Sequence, residues 1–128
     1  MYIEALGKDF PLCYTVEAQS KLAEKAGKLE DIQGLFERDD AAEVVENTVW
    51  MLSVMMEAAV NREKVKCRML GEEYKGGEAP TYDDLRAILN PGEIGEKIMQ
   101  EITKAMKSGN ETTVEVKEEK RKNAETTQ

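Results

Sequence analysis

No histidine occurs anywhere in the 128 residues. The commonest general base near neutral pH and the commonest imidazole metal ligand are therefore missing. Cysteine is scarce as well: Cys13 and Cys67 show no C-x-x-C spacing. A structural zinc would need both thiols plus carboxylates, an unusual donor set. The two read as reduced thiols acting as small hydrophobes, which points to a reducing cytoplasm; a disulfide joining them is the alternative. Aromatics make up only 5% of the chain, too few for the β-sandwich class. Dense Lys/Arg clusters are also lacking, and a net charge of −8 argues against a general nucleic-acid binder. The most apolar stretch, "TVWMLSVMMEAAV" from Thr48 to Val60, is interrupted by Glu57 and falls short of the roughly 20 apolar residues of a membrane-spanning helix. "MYIEALGKDF" has no basic region followed by an apolar run, so it does not read as a signal peptide.

Catalytic motifs are absent too. "GEEYKGGE" (Gly71 to Glu78) has two glycines at P-loop distance but lacks the Lys-Ser/Thr that holds phosphate and magnesium. The acid pairs Asp39-Asp40, Glu72-Glu73 and Asp83-Asp84 could hold a cation, but they read better as helix caps and a solvated loop. The run "KEEKRK" interleaves too many acids for a nucleic-acid patch. No residue is assigned a catalytic, cofactor-binding or metal-binding role, and the chain does not read as an enzyme.

What is present is a helical pattern: 41% hydrophobic and 34% charged residues, rich in Ala, Glu, Lys and Met. The expected fold is mainly α, a small bundle around one long central helix with a short N-terminal β-hairpin. A single domain over 1–109 is expected, with the hairpin in 1–15 and helices in 16–109. The hairpin comes from "YIEAL" and "DFPLCYTV" around "GK", with Pro11 at an edge. Thr15 offers an N-cap for a helix from Val16 to a stop at Gly27. Leu29, Ile32, Leu35 and Phe36 suggest a short second helix. Asp39 and Asp40 precede the main helix, which begins at Ala41 and continues through Val65, Met69 and Leu70 towards Gly71. After the Gly-rich loop "GEEYKGGEAP", Thr81 and Asp84 form a capping-box-like start to another short helix. Asn90 and Pro91 then open a last helix, with Ile94, Ile98, Ile102, Ala105 and Met106 on one side and a stop near Gly109. Residues 110–128 are polar and charged and read as a disordered tail.

Placed at 100° intervals, Ala41, Val45, Thr48, Val49, Leu52, Met55, Met56 and Ala59 form a broad core face of the main helix. Trp50, Met51, Val54 and Ala58 form a second, narrower apolar strip, on a side where Glu43, Glu46, Asn47 and Glu57 supply a polar surface. Two readings stand side by side. Either the hairpin or the last helix covers the strip, or the strip is open and meets a partner protein or another copy. Methionine suits variable apolar partners, so Trp50, Met51, Val54 and Ala58 are the candidate partner-binding residues.

The order "YIEALGKDFPLCYTVEAQSKL", "KLEDIQGLF", "NTVWMLSVMMEAAV", a Gly-rich linker, "TYDDLRAIL", "NPGEIGEKIMQEITKAM" and a charged tail resembles the tail assembly chaperones of long-tailed bacteriophages and prophages, over about Tyr2 to Lys107. The resemblance rests on order and spacing and carries no site residue across. It implies a non-enzymatic, self-associating protein of the host bacterial cytoplasm with no cofactor. Its partners would be the apolar helical tape measure protein and the tail tube protein, not nucleic acid or membrane. It also implies a longer product made by ribosomal frameshifting. The competing class is a small helical regulatory or adaptor protein, antitoxin-like or transcription-associated, acting by protein–protein contact.

Overall fold

A computed structural model describes residues 1–110. The tail expected for 110–128 lies, but for residue 110, outside the described residues. The remainder is mainly helical, built around one long helix, with a two-stranded N-terminal hairpin as expected.

The hairpin is smaller than the sequence suggests. Strands β1 (Tyr2–Ile3) and β2 (Lys8–Asp9) pair antiparallel, Tyr2 opposite Asp9 and Ile3 opposite Lys8. Glu4–Leu6, expected to extend the first strand, instead wind into a 3₁₀ turn closed by Gly7 at φ 59°. Glu and Ala are poor strand formers, and the left-handed closure favours glycine. Pro11 has no amide hydrogen, and the second strand has ended before it. Beyond it the chain runs as a strap across the long helix, where the Cys13 amide donates to the Met55 carbonyl at 3.2 Å.

Helix α1 (Val16–Ala26) starts where Thr15 accepts a hydrogen bond from the Ala18 amide and ends at Gly27, φ 104°. Leu29–Phe36 is a 3₁₀ helix where a short α-helix was expected. Its bonds span three residues, as from Asp31 N–H to the Lys28 carbonyl and from Glu37 N–H to the Gly34 carbonyl, both 3.1 Å. No side chain caps its first turn, and Gly34 weakens α-helical propagation. The tighter winding still buries Ile32, Leu35 and Phe36.

Helix α2 (Ala41–Met69) has 29 residues, about 43 Å at 1.5 Å per residue. Asp40 caps it, accepting from the Ala42 amide at 2.9 Å. Helix α3 (Tyr82–Ile88) carries the expected capping box, with Thr81 and Asp84 each bonding the other's backbone. The last helix departs from expectation. Pro91–Glu93 form one 3₁₀ turn, the chain breaks at Ile94 and Gly95, and α4 begins afresh at residue 96 and runs to 110. Glu93 spends its carboxylate on the Asn90 amide, 2.7 Å, and Gly95 adds a residue costly in a helix.

The core gathers on the middle of α2. Ala18 and Leu22 of α1, the 3₁₀ residues Ile32, Leu35 and Phe36, Leu85 and Leu89 at α3, and Ile98 and Ile102 of α4 close around Val49, Leu52, Met55 and Met56. Ile3 of the hairpin joins the same cluster. Both cysteines are free thiols, partly buried.

Candidate functional site

The long helix is enclosed on every side over part of its length. From Asn47 to Ala59 only Glu57 is exposed, and Trp50 alone is half-buried. Asn47, expected on the polar surface, is buried and donates its side-chain N–H to the Leu35 carbonyl at 2.9 Å. Thr48 and Ser53 satisfy their buried hydroxyls on the helix's own carbonyls, Val44 at 2.7 Å and Trp50 at 2.6 Å. A polar residue at these positions signals a satisfied bond to neighbouring backbone, not an open face.

Of the two readings of the strip, the covered one holds for Met51, Val54 and Ala58, and Trp50 is half-buried. Met51 is 0% exposed, Ala58 3% and Val54 7%. The chain covers them itself, because a central helix wrapped on all sides has core on its second face too. Trp50 lies beneath the Lys25 ammonium, 4.8 Å from the ring centroid, a cation–π contact from α1. Lys21 on one side and Ala79, Pro80 and Tyr82 on the other line the cleft above Trp50 and Val54. The bundle is tied shut there. The Tyr82 hydroxyl donates to the Glu46 carboxylate, and Arg86 Nε sits 3.2 Å from the same carboxylate. Burial, and then the bond to Glu46, raise the Tyr82 hydroxyl above its ordinary pKa. Burial also raises Tyr14, with a hydrogen bond to Gln19 opposing it.

The strip does not stop at Ala58. Met51 and Met69 are 18 residues apart, five full turns at 3.6 residues per turn, so they share one azimuth on α2. Ala58 and Val65 lie within about 40° of that line. Its far end is open: Val65 is 43% exposed and Met69 76%, with Leu70 exposed beside them. From Asn61 to Leu70 no residue is fully buried, because the neighbouring elements thin out along this end of the helix. Thr15 and Glu17 at the start of α1 form the opposite wall of a shallow groove whose floor holds Ala58, Val65 and Met69. Glu17 accepts from the Asn61 side-chain Nδ2–H at 3.3 Å. The loop after α2 folds back so that Lys64 meets the Glu78 carboxylate at 2.7 Å. The covered and uncovered segments are one row on one helix. The signal was present in the sequence, since Val65 and Met69 continue the helix period, but periodicity gives azimuth and not where the neighbouring helices end.

Asp40 and Asp84 serve as caps, and Glu72 and Glu73 lie exposed in the loop. Among the described residues no group of three or more His, Cys, Asp or Glu is placed to hold a metal ion. Among them, too, no helix is long and apolar enough to cross a membrane. No protein-family model, curated protein or solved structure matches the chain.

Proposed function

We propose that the chain is a non-enzymatic tail assembly chaperone of a long-tailed bacteriophage or prophage. It holds apolar helical segments of the tape measure protein in the host bacterial cytoplasm and assists assembly of tail tube subunits around that protein. The observation carrying this reading is the open end of the α2 row, Val65 and Met69, with Leu70 beside it. A helix laid along that row would bury its own apolar ridge against methionine and valine, the helix-in-groove mode of recognition. Methionine accommodates ridges of differing shape, which suits a client with many similar segments. The net charge of −8 keeps the loaded complex dispersed. The order of elements along the chain, which resembles that of the tail assembly chaperones, supports the tape measure protein as the client.

The test is co-expression with the tape measure protein of the same phage or prophage, scored as client recovered in the supernatant. The client alone should pellet, the pair should remain in solution, and Met69→Glu should return the client to the pellet while the variant itself stays folded. Client recovery that ignores the chain, or neighbouring genes unrelated to tail tube and tape measure proteins, would overturn the reading. Sedimentation of the chain alone measures the self-association that belongs to the same proposal.

A further inference from the structure

We infer that the open row on α2 selects an acidic amphipathic helix, one whose apolar ridge is flanked by carboxylates. The inference rests on the client-binding reading above and adds the charge of the segment bound.

The chain is acidic, yet this end of it is not. Residues 61–70 hold four cations, Arg62, Lys64, Lys66 and Arg68, against the single carboxylate of Glu63. Their azimuths matter more than their number. With Met69 at the centre, Arg62 lies within about 20° of the row itself, Lys66 about 60° to one side and Arg68 about 100° to the other. Cations therefore line both flanks of an apolar row. Lys64 is already held by Glu78 at 2.7 Å. Lys66 has only Glu63, at 3.9 Å and with both side chains exposed, a pairing worth little. Among the described residues Arg62 and Arg68 have no carboxylate within ion-pair distance. Glu17, the acid in the facing wall, is engaged by Asn61 at 3.3 Å and by Lys21 at 3.7 Å. On the helix itself the cations left to meet a partner thus outnumber the anions, while Glu72 and Glu73 lie exposed in the loop beyond it.

This pattern discriminates between occupants. A second copy docking the same row in two-fold fashion would set Arg62, Lys66 and Arg68 against their own counterparts, like charge on like. A nucleic acid would meet few cations and an apolar centre with no aromatic platform. A helix with Glu or Asp on either side of a Leu, Ile or Met ridge fills the row and pairs both flanks.

The test uses three labelled peptides with one apolar ridge and with Glu, Gln or Lys at the flanking positions, titrated into the full chain by fluorescence anisotropy. Three exposed pairs of modest strength predict that the Glu peptide binds about tenfold more tightly than the Lys peptide at low salt. The gap should narrow at high salt. The triple variant Arg62→Glu, Lys66→Glu and Arg68→Glu should reverse the order, and Met69→Glu should abolish binding of all three. These positions are exposed, so far-UV circular dichroism should be unchanged in every variant. Equal binding of the three peptides overturns the charge inference and leaves the client reading standing. Binding of none, together with failure of client rescue, removes both. A wild-type dimer dissociated by Met69→Glu, tighter peptide binding after removal of residues 111–128, or Met69-dependent capture of anionic vesicles would each assign the row another occupant and overturn the proposal.

Discussion

Met51 and Met69 offer a controlled comparison, because they share residue type, helix and azimuth and differ in what surrounds them. Met51 is 0% exposed and Met69 76%. Met51→Ala removes Cγ, Sδ and Cε from a packed site that α2's neighbours cannot fully close. Such truncations cost about 2–5 kcal/mol, against a total stability of about 5–15 kcal/mol for a domain of this size. Met69→Ala removes the same atoms from a site already in water, with an expected change of about 0.5 kcal/mol or less. Urea unfolding followed at 222 nm by circular dichroism reads both. With a slope of about 1–3 kcal/mol/M, Met51→Ala should lower the midpoint by about 0.7 M or more at an unchanged slope, while Met69→Ala should leave it nearly in place. Client binding should invert the ranking, falling for Met69→Ala and persisting for Met51→Ala under conditions where that variant remains folded. Similar destabilisation by the two substitutions, or a larger loss for Met69→Ala, would refute the division of the row into covered and open parts.

Three further outcomes follow from local geometry. Asn47→Ala leaves the Leu35 carbonyl without its buried donor and should destabilise by about 1–3 kcal/mol in the same urea assay. Gly109→Ala should loosen α4, since an added Cβ would lie 2.6 Å from the Tyr14 carbonyl oxygen; faster amide exchange in α4 reads the effect, and Gly77→Ala, with open space at its Cβ, is the control. The tyrosine shifts predict alkaline sensitivity. Tyr14 and Tyr82 have raised folded-state pKa values, so above the ordinary tyrosine value of 10.0 the folded chain keeps protons that the unfolded chain has released. Stability is then fully present below that pH and falls as pH rises past it, a decline that Tyr82→Phe should reduce in urea midpoints measured across the range.

The elements that the sequence made legible are those set by a side chain acting within one turn. Thr15, Asp40 and the Thr81–Asp84 pair fix three helix starts through bonds to amides two or three residues away. The core face of α2 was legible for the related reason that Val49, Leu52, Met55 and Met56 repeat at the helical period. The features that escaped depend on what lies across from a residue. Asn47 resembles a surface residue until the Leu35 carbonyl is placed against it, and the Trp50–Ala58 strip resembles a docking face until the rest of the domain packs around it and buries Met51, Val54 and Ala58. The 3₁₀ winding of Leu29–Phe36 and the break at Ile94–Gly95 are intermediate cases, where Gly34 and Gly95 marked a weakness but not its outcome.

The strap formed by residues 10–15 also bears on the order in which the chain can fold. Its Cys13 amide waits for Met55, and its Tyr14 backbone waits for Gly109, a partner encoded close to the end of the described chain. Helix α1 and the 3₁₀ segment can pair early, because their contacts are close in sequence, whereas the strap closes over long loops and should be a late event. A nascent chain would therefore leave the ribosome with Ile3 unsheltered, and the domain would seal only after α4 had emerged. The domain would thus begin its life unfinished, with its first strand guarded last.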